Sequence, residues 1–407
     1  MADVLLSARR WRILGAALLV QVAISVVIQG FPALVPFAKV DLHLTNAGAG
    51  VFATVLSVGT MVALLPAGWA VDAVGDRRVL VAGGLATAAL AVAAAVTPTF
   101  ALLIPVLIVL GFAGATPTPA GSTAIVSAFA AKDRGLVIGL RQTGIPLGGA
   151  IAALLLPAVA AARGWRDAIV VAGVLAGASA VTAWWLMRGP VAATSDRERA
   201  RLDLAALRRA ANHDATYTGI AGSFLTVGQF VLVSYIALYV IEVGHASFAV
   251  GSIFLVAANV GGVVGRLAWG GVSDRLFGGV RRTPLIIVSA AAALGFLLLA
   301  LVPLTLPIPF LLLIVFALGA TVIGWNGLYI ALLSEIAEPH ERGRSVAYGM
   351  TLTQVGIFVG PALFGVVVDS THSFRAGWLL VAAAMVVATV LIAQIRERRA
   401  MALTRAM

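Results

Sequence analysis

The chain has 407 residues, 61% of them from the hydrophobic set and only 11% charged, with a mean hydropathy of +1.04. A water-soluble protein carries about a quarter charged residues, so a soluble globule is excluded and most of the surface must meet lipid. The absence of cysteine excludes a disulfide framework, a thiolate metal site and a cysteine nucleophile, and the five histidines (His43, His213, His245, His340, His372) show no metal-ligand spacing. No cofactor is expected, and the formal net charge of +11 reads as membrane topology, with no nucleic-acid partner.

A hydrocarbon core of roughly 30 Å takes about 20 apolar residues to cross. Twelve stretches qualify: 13–38, 47–71, 79–97, 100–130, 136–160, 167–187, 217–241, 248–272, 284–306, 308–333, 345–368 and 376–395. All are expected to be helices, because lipid offers the backbone no hydrogen-bond partner. The first is too long, and too close to the second, for a cleaved signal peptide. With both termini placed in the cytoplasm, 22 of the 28 Lys and Arg residues fall inside. Lys39, Arg163, Arg166 and Arg375 fall outside, while Arg141 and Arg266 lie within spans. This bias sets the orientation.

The longest polar segment, 188–216, divides the spans into an N-terminal bundle (1–187) and a C-terminal one (217–407). Its stretch 197–211 reads as a solvated linker or as a short basic helix on the membrane surface. The halves repeat each other. Gly68, Asp72, Gly75, Arg77 and Arg78 follow the second span; Gly270, Asp274, Arg275, Gly278, Arg281 and Arg282 follow the eighth. The aspartates stand 202 residues apart (274 − 72). RQTGIPLGGAI at 141–151 matches TQVGIFVGPAL at 353–363, pairing Gln142 with Gln354 and Gly144 with Gly356. A duplicated six-helix unit is a hallmark of secondary transporters.

These loop motifs and the duplication resemble the major facilitator superfamily over essentially the whole chain. Departures are Ala73 and Asp76 in the first loop, and Leu107 near the place of an arginine common in the fourth span. The resemblance implies two six-helix bundles, function as a monomer, and alternating access. It also implies a gating role for Gly68, Asp72, Arg77, Arg78, Gly270, Asp274 and Arg275, with Asp72 and the basic pair latching onto the start of the eleventh helix. Read from the residues alone, the glycines let helices approach closely and Asp72 caps a helix.

Substrate chemistry is read from the intramembrane charges. None of the seventeen carboxylates sits mid-span, whereas Arg141 and Arg266 lie at matching depths, roughly 10–12 Å inside the cytoplasmic helix ends. Either arginine alone could snorkel to water or bond to carbonyls. As a pair without a carboxylate they call for an anion, held through forked, charge-assisted hydrogen bonds. GRLAWGGVSDR (265–275) resembles the eighth helix of monocarboxylate and oxalate/formate carriers, whose arginine there binds carboxylate. Arg141 with Gly144 resembles the lactose permease, but the fourth span offers Thr116, Thr118, Ser122 and Thr123 in place of a glutamate. The resemblance also places helices five and eight across a central cavity from one another.

Further lining candidates are Ser25, Gln29, Gln142, Gln229, Ser234, Tyr235, Asn259, Trp325, Asn326, Tyr329 and Gln354, each of which could equally be helix-packing glue. The expected function is secondary transport of a small organic anion, by exchange with a counter-anion or coupled to protons. The rivals are an exporter of neutral or anionic drugs and a non-transporting sensor; no nucleophile–base pair points to an enzyme. Low lysine beside abundant Arg, Ala and Gly points to the inner membrane of a bacterium.

Overall fold

The structure is a computed structural model that describes residues 2–129, 131–188, 213–336 and 342–397. The side chains of 2–8, 64–65, 131–136, 342–344 and 347 lie outside that description, as does the whole 197–211 surface-helix candidate. Helix is the dominant state throughout, and no strand occurs among the described residues. In chain order the first helices are α1 (Ala2–Asp41), α2 (Asn46–Thr54), α3 (Leu56–Val74), α4 (Asp76–Val96), α5 (Phe100–Gly114), α6 (Pro117–Ala128), α7 (Ala131–Gln142), α8 (Gly144–Arg163) and α9 (Trp165–Leu186). They are followed by α10 (His213–Glu242), α11 (Phe248–Leu276), α12 (Arg282–Leu301), α13 (Ile308–Val322), α14 (Asn326–Ile336), α15 (Arg342–Thr371) and α16 (Phe374–Ala393). Together they supply twelve stretches long and apolar enough to cross a membrane, so the protein is a multi-pass membrane protein.

Contacts divide the chain into two compact units, Met1–His43 with Phe52–Arg199, and Leu44–Val51 with Ala200–Met407. The first residues of α2 are therefore built into the second unit. There Asp369, near the end of α15, accepts from the backbone N–H groups of Asn46 and Ala47 (2.9 Å each) and from Asn46 Nδ2 (2.8 Å). A carboxylate on the free N–H groups at a helix start satisfies orphan donors and favours the helix dipole. Tyr235, fully buried, donates to the carbonyls of Asn46 (2.6 Å) and Pro361 (2.9 Å).

The duplication read from the loop motif extends through each unit's packing. In lipid no hydrophobic force drives helices together, so small residues that admit backbone contact set the interfaces. A Cβ on Gly59 of α3 would lie 1.7 Å from the Ile108 carbonyl oxygen, and one on Gly111 of α5 would lie 1.9 Å from that of Leu56. In the second unit a Cβ on Gly261 of α11 would lie 2.1 Å from Phe316 O, and one on Gly319 of α13 would lie 2.0 Å from Ala258 O. Gly59 and Gly261 are again 202 residues apart (261 − 59). The same interval separates Thr45 from Ser247, whose hydroxyls cap the helices that follow them (3.1 and 3.3 Å). It also separates His43 from His245, both left-handed residues (φ 50° and 51°) closing a span. Three of the five histidines, these two and His372 (φ 51°), thus serve as helix terminators, a conformation in which histidine is over-represented.

Two expectations need correction. The ninth span stops at Leu301, not 306. The run 302–306 is apolar, but Pro303 forces Val302 into extended backbone (ψ 127°). Four spans are also interrupted: the second at Val55, the fourth at Ala115–Thr116, the fifth at Thr143 and the tenth at Ile323–Trp325. In the fourth, Pro117 cannot donate to Ala113 O, and Thr116 Oγ1 donates there in its place (3.0 Å).

The glycine contacts yield a contrast that size-exclusion chromatography of detergent extracts checks. Gly111→Val and Gly319→Val each force two backbones apart and are expected to abolish the monodisperse peak. Gly68→Ala and Gly270→Ala, whose Cβ would meet open space, are expected to leave it intact.

Candidate functional site

In the first unit, Arg141 occupies the last turn of α7, just before the break. Thr143 ends that helix by turning its hydroxyl back onto Leu140 O (2.7 Å). The Arg141 side chain is 1% exposed, so it does not snorkel. Its Nη1 donates to Gln21 Oε1 of α1 (2.8 Å) and to the Pro117 carbonyl at the start of α6 (3.0 Å), and its Nη2 to Ser122 Oγ (3.1 Å). Gly121 makes room: a Cβ there would stand 3.2 Å from both Cδ and Nη1. Gln21 in turn donates to Ser25 (3.3 Å). All the described acceptors are neutral, and Nε, also buried, has no hydrogen-bond partner among the described residues. A buried guanidinium held by neutral groups keeps its full charge uncompensated.

In the second unit, α13 ends at Val322 and leaves free carbonyls. Arg266 Nε donates to Ile323 O (3.2 Å), and Trp269, one turn further along α11, donates to Ala320 O (2.9 Å). Asn326 Nδ2 reaches the same Ile323 carbonyl (3.4 Å) and Gln229 Oε1 (3.3 Å), which also accepts from Trp325 Nε1 (3.1 Å). Trp325 meets Tyr329 edge-on at 4.9 Å, and Tyr329, 1% exposed, donates to Gly349 O (3.0 Å). Arg266, Gln229, Trp325, Asn326 and Tyr329 are therefore one connected cluster around a helix break.

The two arginines share one feature. Each donates to a main-chain carbonyl at the interruption of a span, the fourth in one unit and the tenth in the other. Corresponding interrupted helices in the two halves are where transporters of this build place their sites.

Other candidates lie apart. Tyr235 ties α10 to the start of α2, as above. Asn259 donates back to Leu255 O (3.0 Å) within α11, while its buried Oδ1 has no partner among the described residues. Gln29, Gln142 and Gln354 are half-buried. Gln21, the direct partner of Arg141, was not singled out from the sequence. The signal was there: Gln21, Ser25 and Gln29 recur at intervals of four on one face of α1.

Among the gating candidates, Gly68 and Gly270 have open space where a Cβ would go, so close approach does not explain them here. Gly75 (φ 90°) and Gly278 (φ 59°) take backbone that favours glycine. Asp72, Arg78 and Arg275 are exposed. Arg77 lies over the Trp184 ring (3.7 Å) and donates to its carbonyl (2.8 Å). The side chains of Arg342 and Arg344, at the start of the eleventh helix where the latch was expected, lie outside the described residues. Asp274 instead pairs with Arg281 (2.7 Å), which also reaches Glu335 (3.5 Å) and Ser273 Oγ (2.8 Å). Glu397, 2% exposed, accepts from the backbone N–H groups of Arg281 and Arg282 (2.8 Å each), capping α12. Nothing in the run RERR around Glu397 flagged this role.

Two variants separate positioning from folding. Gln21→Leu and Gln229→Leu each leave a buried donor unmatched, and each is expected to lower the unfolding free energy by about 1–3 kcal/mol. Thermal unfolding in detergent checks this, and Gln29→Leu, half-buried with no described hydrogen bond, serves as the neutral comparison.

A family model described as Major Facilitator Superfamily matches residues 17–330. An uncharacterised MFS-type transporter of Mycobacterium tuberculosis is 29% identical over 371 residues, covering 91% of this chain and 82% of that protein. The hexuronate transporter of Bacillus subtilis is 24% identical over 369 residues, covering 85% of each. Among solved structures, the nucleoside transporter NupG is similar with a TM-score of 0.79 at 15% identity, covering 95% of this chain and all of that one (100%). A bacterial homologue of the human lysosomal transporter Spinster gives 0.75 at 16% identity, covering 93% and 95%. At these identities the structural likeness is one of fold. The fold, the twelve spans and the matched family model together place the chain in the major facilitator superfamily, and it is a membrane transporter and not an enzyme.

Proposed function

We propose that the protein carries a small organic anion, a carboxylate of the sugar-acid class, across a bacterial inner membrane. One observation carries the reading: a fully buried Arg141 that, among the described residues, is held by neutral acceptors alone and has its Nε unmatched. Such a group gains a charge-assisted, forked partner when a carboxylate arrives, and the neutral acceptors can yield to it. The 24% identity to a protein named as a hexuronate transporter is consistent with that class, as is the bacterial source of the relatives.

Within the second unit Arg266 is proposed as a basic contact of its own, with Asn326, Gln229 and Trp325 beside it offering amide and indole groups suited to hydroxyls. A sugar acid would use both kinds of partner, the guanidinium for its carboxylate and the amides for its hydroxyl face. The transport step is alternating access: substrate charge compensates buried positive charge and so favours the closed arrangement over the empty one. Such a carrier suits exchange of one anion for another, or entry of anion and proton together.

A thermal-shift panel tests the substrate class. Hexuronates and short carboxylates are expected to stabilise the detergent-solubilised protein by about 2.7 kcal/mol at a hundredfold excess over Kd, a midpoint rise of several degrees. Stabilisation by lipophilic cations, with no response to any organic anion, would overturn the proposal. In proteoliposome counterflow, Arg141→Lys and Arg266→Lys keep the charge but lose the planar fork. Each is expected to weaken apparent anion affinity about tenfold or more, a loss of about 1.4 kcal/mol.

A further inference from the structure

A groove of about 590 Å³ lies on the first unit, between the end of α8 and the start of α9. Its walls are apolar, formed by residues that include Ala158, Ala162, Val170 and Val171, and its end carries Arg163 and Asp167. Arg163 is the last residue of the fifth span and Asp167 the third of the sixth, joined through the single left-handed Gly164 (φ 95°). The two charges therefore sit at the boundary of the apolar span, where lipid headgroups meet acyl chains. Neighbouring side chains on the same helices, Leu154 (59% exposed) and Val174 (62% exposed), face outward, so the groove opens toward the bilayer.

Two cation–anion couples at this end of the unit are not equivalent. Arg166 and Asp41 pair with each other, Asp41 also accepts from Trp165 Nε1 (2.8 Å), and Arg166 covers the Trp165 ring at 4.4 Å. Arg163 and Asp167 take no part in this arrangement. Both are exposed, and neither makes a hydrogen bond or ion pair with any described residue, including each other. A cation and an anion held side by side, unjoined, above an apolar trough form a complement to a zwitterion with a hydrocarbon tail.

We propose that this groove is a binding site for an aminophospholipid of the surrounding bilayer, one whose headgroup joins a phosphate to a primary ammonium. Arg163 takes the phosphate through its planar fork, Asp167 accepts from the ammonium N–H groups, and an acyl chain fills the trough between α8 and α9. A choline headgroup, with no N–H to donate, satisfies Arg163 but not Asp167. A glycerol headgroup brings net negative charge to Asp167.

Native mass spectrometry of the full-length protein, titrated with dioleoyl phosphatidylethanolamine, phosphatidylcholine or phosphatidylglycerol, tests the assignment. The wild type is expected to bind the ethanolamine lipid roughly fivefold more tightly than either other lipid, the range for partly exposed charge pairs. Asp167→Ala is expected to remove the preference for ethanolamine over choline. Arg163→Ala is expected to weaken both about fivefold. Both side chains are solvent- or lipid-exposed, so the lipid-free unfolding temperature of each variant should match the wild type. Soluble glycerophosphoethanolamine, which lacks acyl chains, should not compete at equal concentration. Equal affinity of the wild type for all three lipids, a retained preference for ethanolamine over choline in Asp167→Ala, wild-type affinities in Arg163→Ala, or competition by the free headgroup would each overturn the proposal.

Discussion

The architecture rests on backbone-to-backbone contact between helices at four glycines, Gly59 against Ile108, Gly111 against Leu56, Gly261 against Phe316 and Gly319 against Ala258. Carbonyl oxygens stand where a Cβ would be, at 1.7 to 2.1 Å, so no other residue fits at these positions without separating the helices. Because lipid tails are as apolar as any side chain, this close packing supplies in the membrane what hydrophobic burial supplies in water. The contacts fall one turn or so before the interruptions of the fourth and tenth spans. They fix where each interrupted span sits within its unit, and through it the carbonyls that Arg141 and Arg266 engage. Each cationic group thus has at least one main-chain anchor, which has no rotamers to lose.

Much of this was legible in the residues. Hydropathy alone delimits the spans to within a few residues, since a segment that must satisfy every backbone group internally has no other option than helix. The misjudged end at 306 shows the limit: Pro303 and Pro307 interrupt an apolar run without changing its hydropathy. The 202-residue interval of the aspartates anticipated a repeat that reappears in caps, left-handed histidines and packing glycines. The arginines were found because charge in lipid is costly; of the groups that bond them directly only Ser122 had been named, because carbonyls and an amide such as Gln21 carry no such mark. Gln21 and the Pro117 carbonyl look ordinary in one dimension. Tyr235 and Asn259 read as lining for the same reason in reverse, being polar mid-span residues that the fold uses for helix-to-helix and intra-helix bonds.

The two copies of the loop motif have diverged in what holds them. In the second, Asp274 and Glu335 pair with the Arg281 side chain, the Arg282 side chain bonds the carbonyls of Ile392 and Ala393, and Glu397 caps the helix start. In the first, Arg77 lies on the Trp184 ring and Asp72 is left exposed. The same sequence signature therefore supports an ionic clasp on one side of the duplication and a cation–π contact on the other. Salt screens exposed ion pairs far more than it weakens the burial of a guanidinium face on an aromatic ring.

Residues 44–51 belong by contact to the second unit while the chain on either side of them belongs to the first. The polypeptide accordingly passes between the units at 43–44, at 51–52 and again at 199–200, three times and not once. The crossing at 51–52 lies within four residues of the interruption at Val55, and the crossing at 43–44 lies just ahead of Asn46 and Ala47, whose N–H groups Asp369 accepts. Span two thus begins in one contact unit and continues into the other, so one unbroken run of apolar sequence is shared by two separately packed bodies.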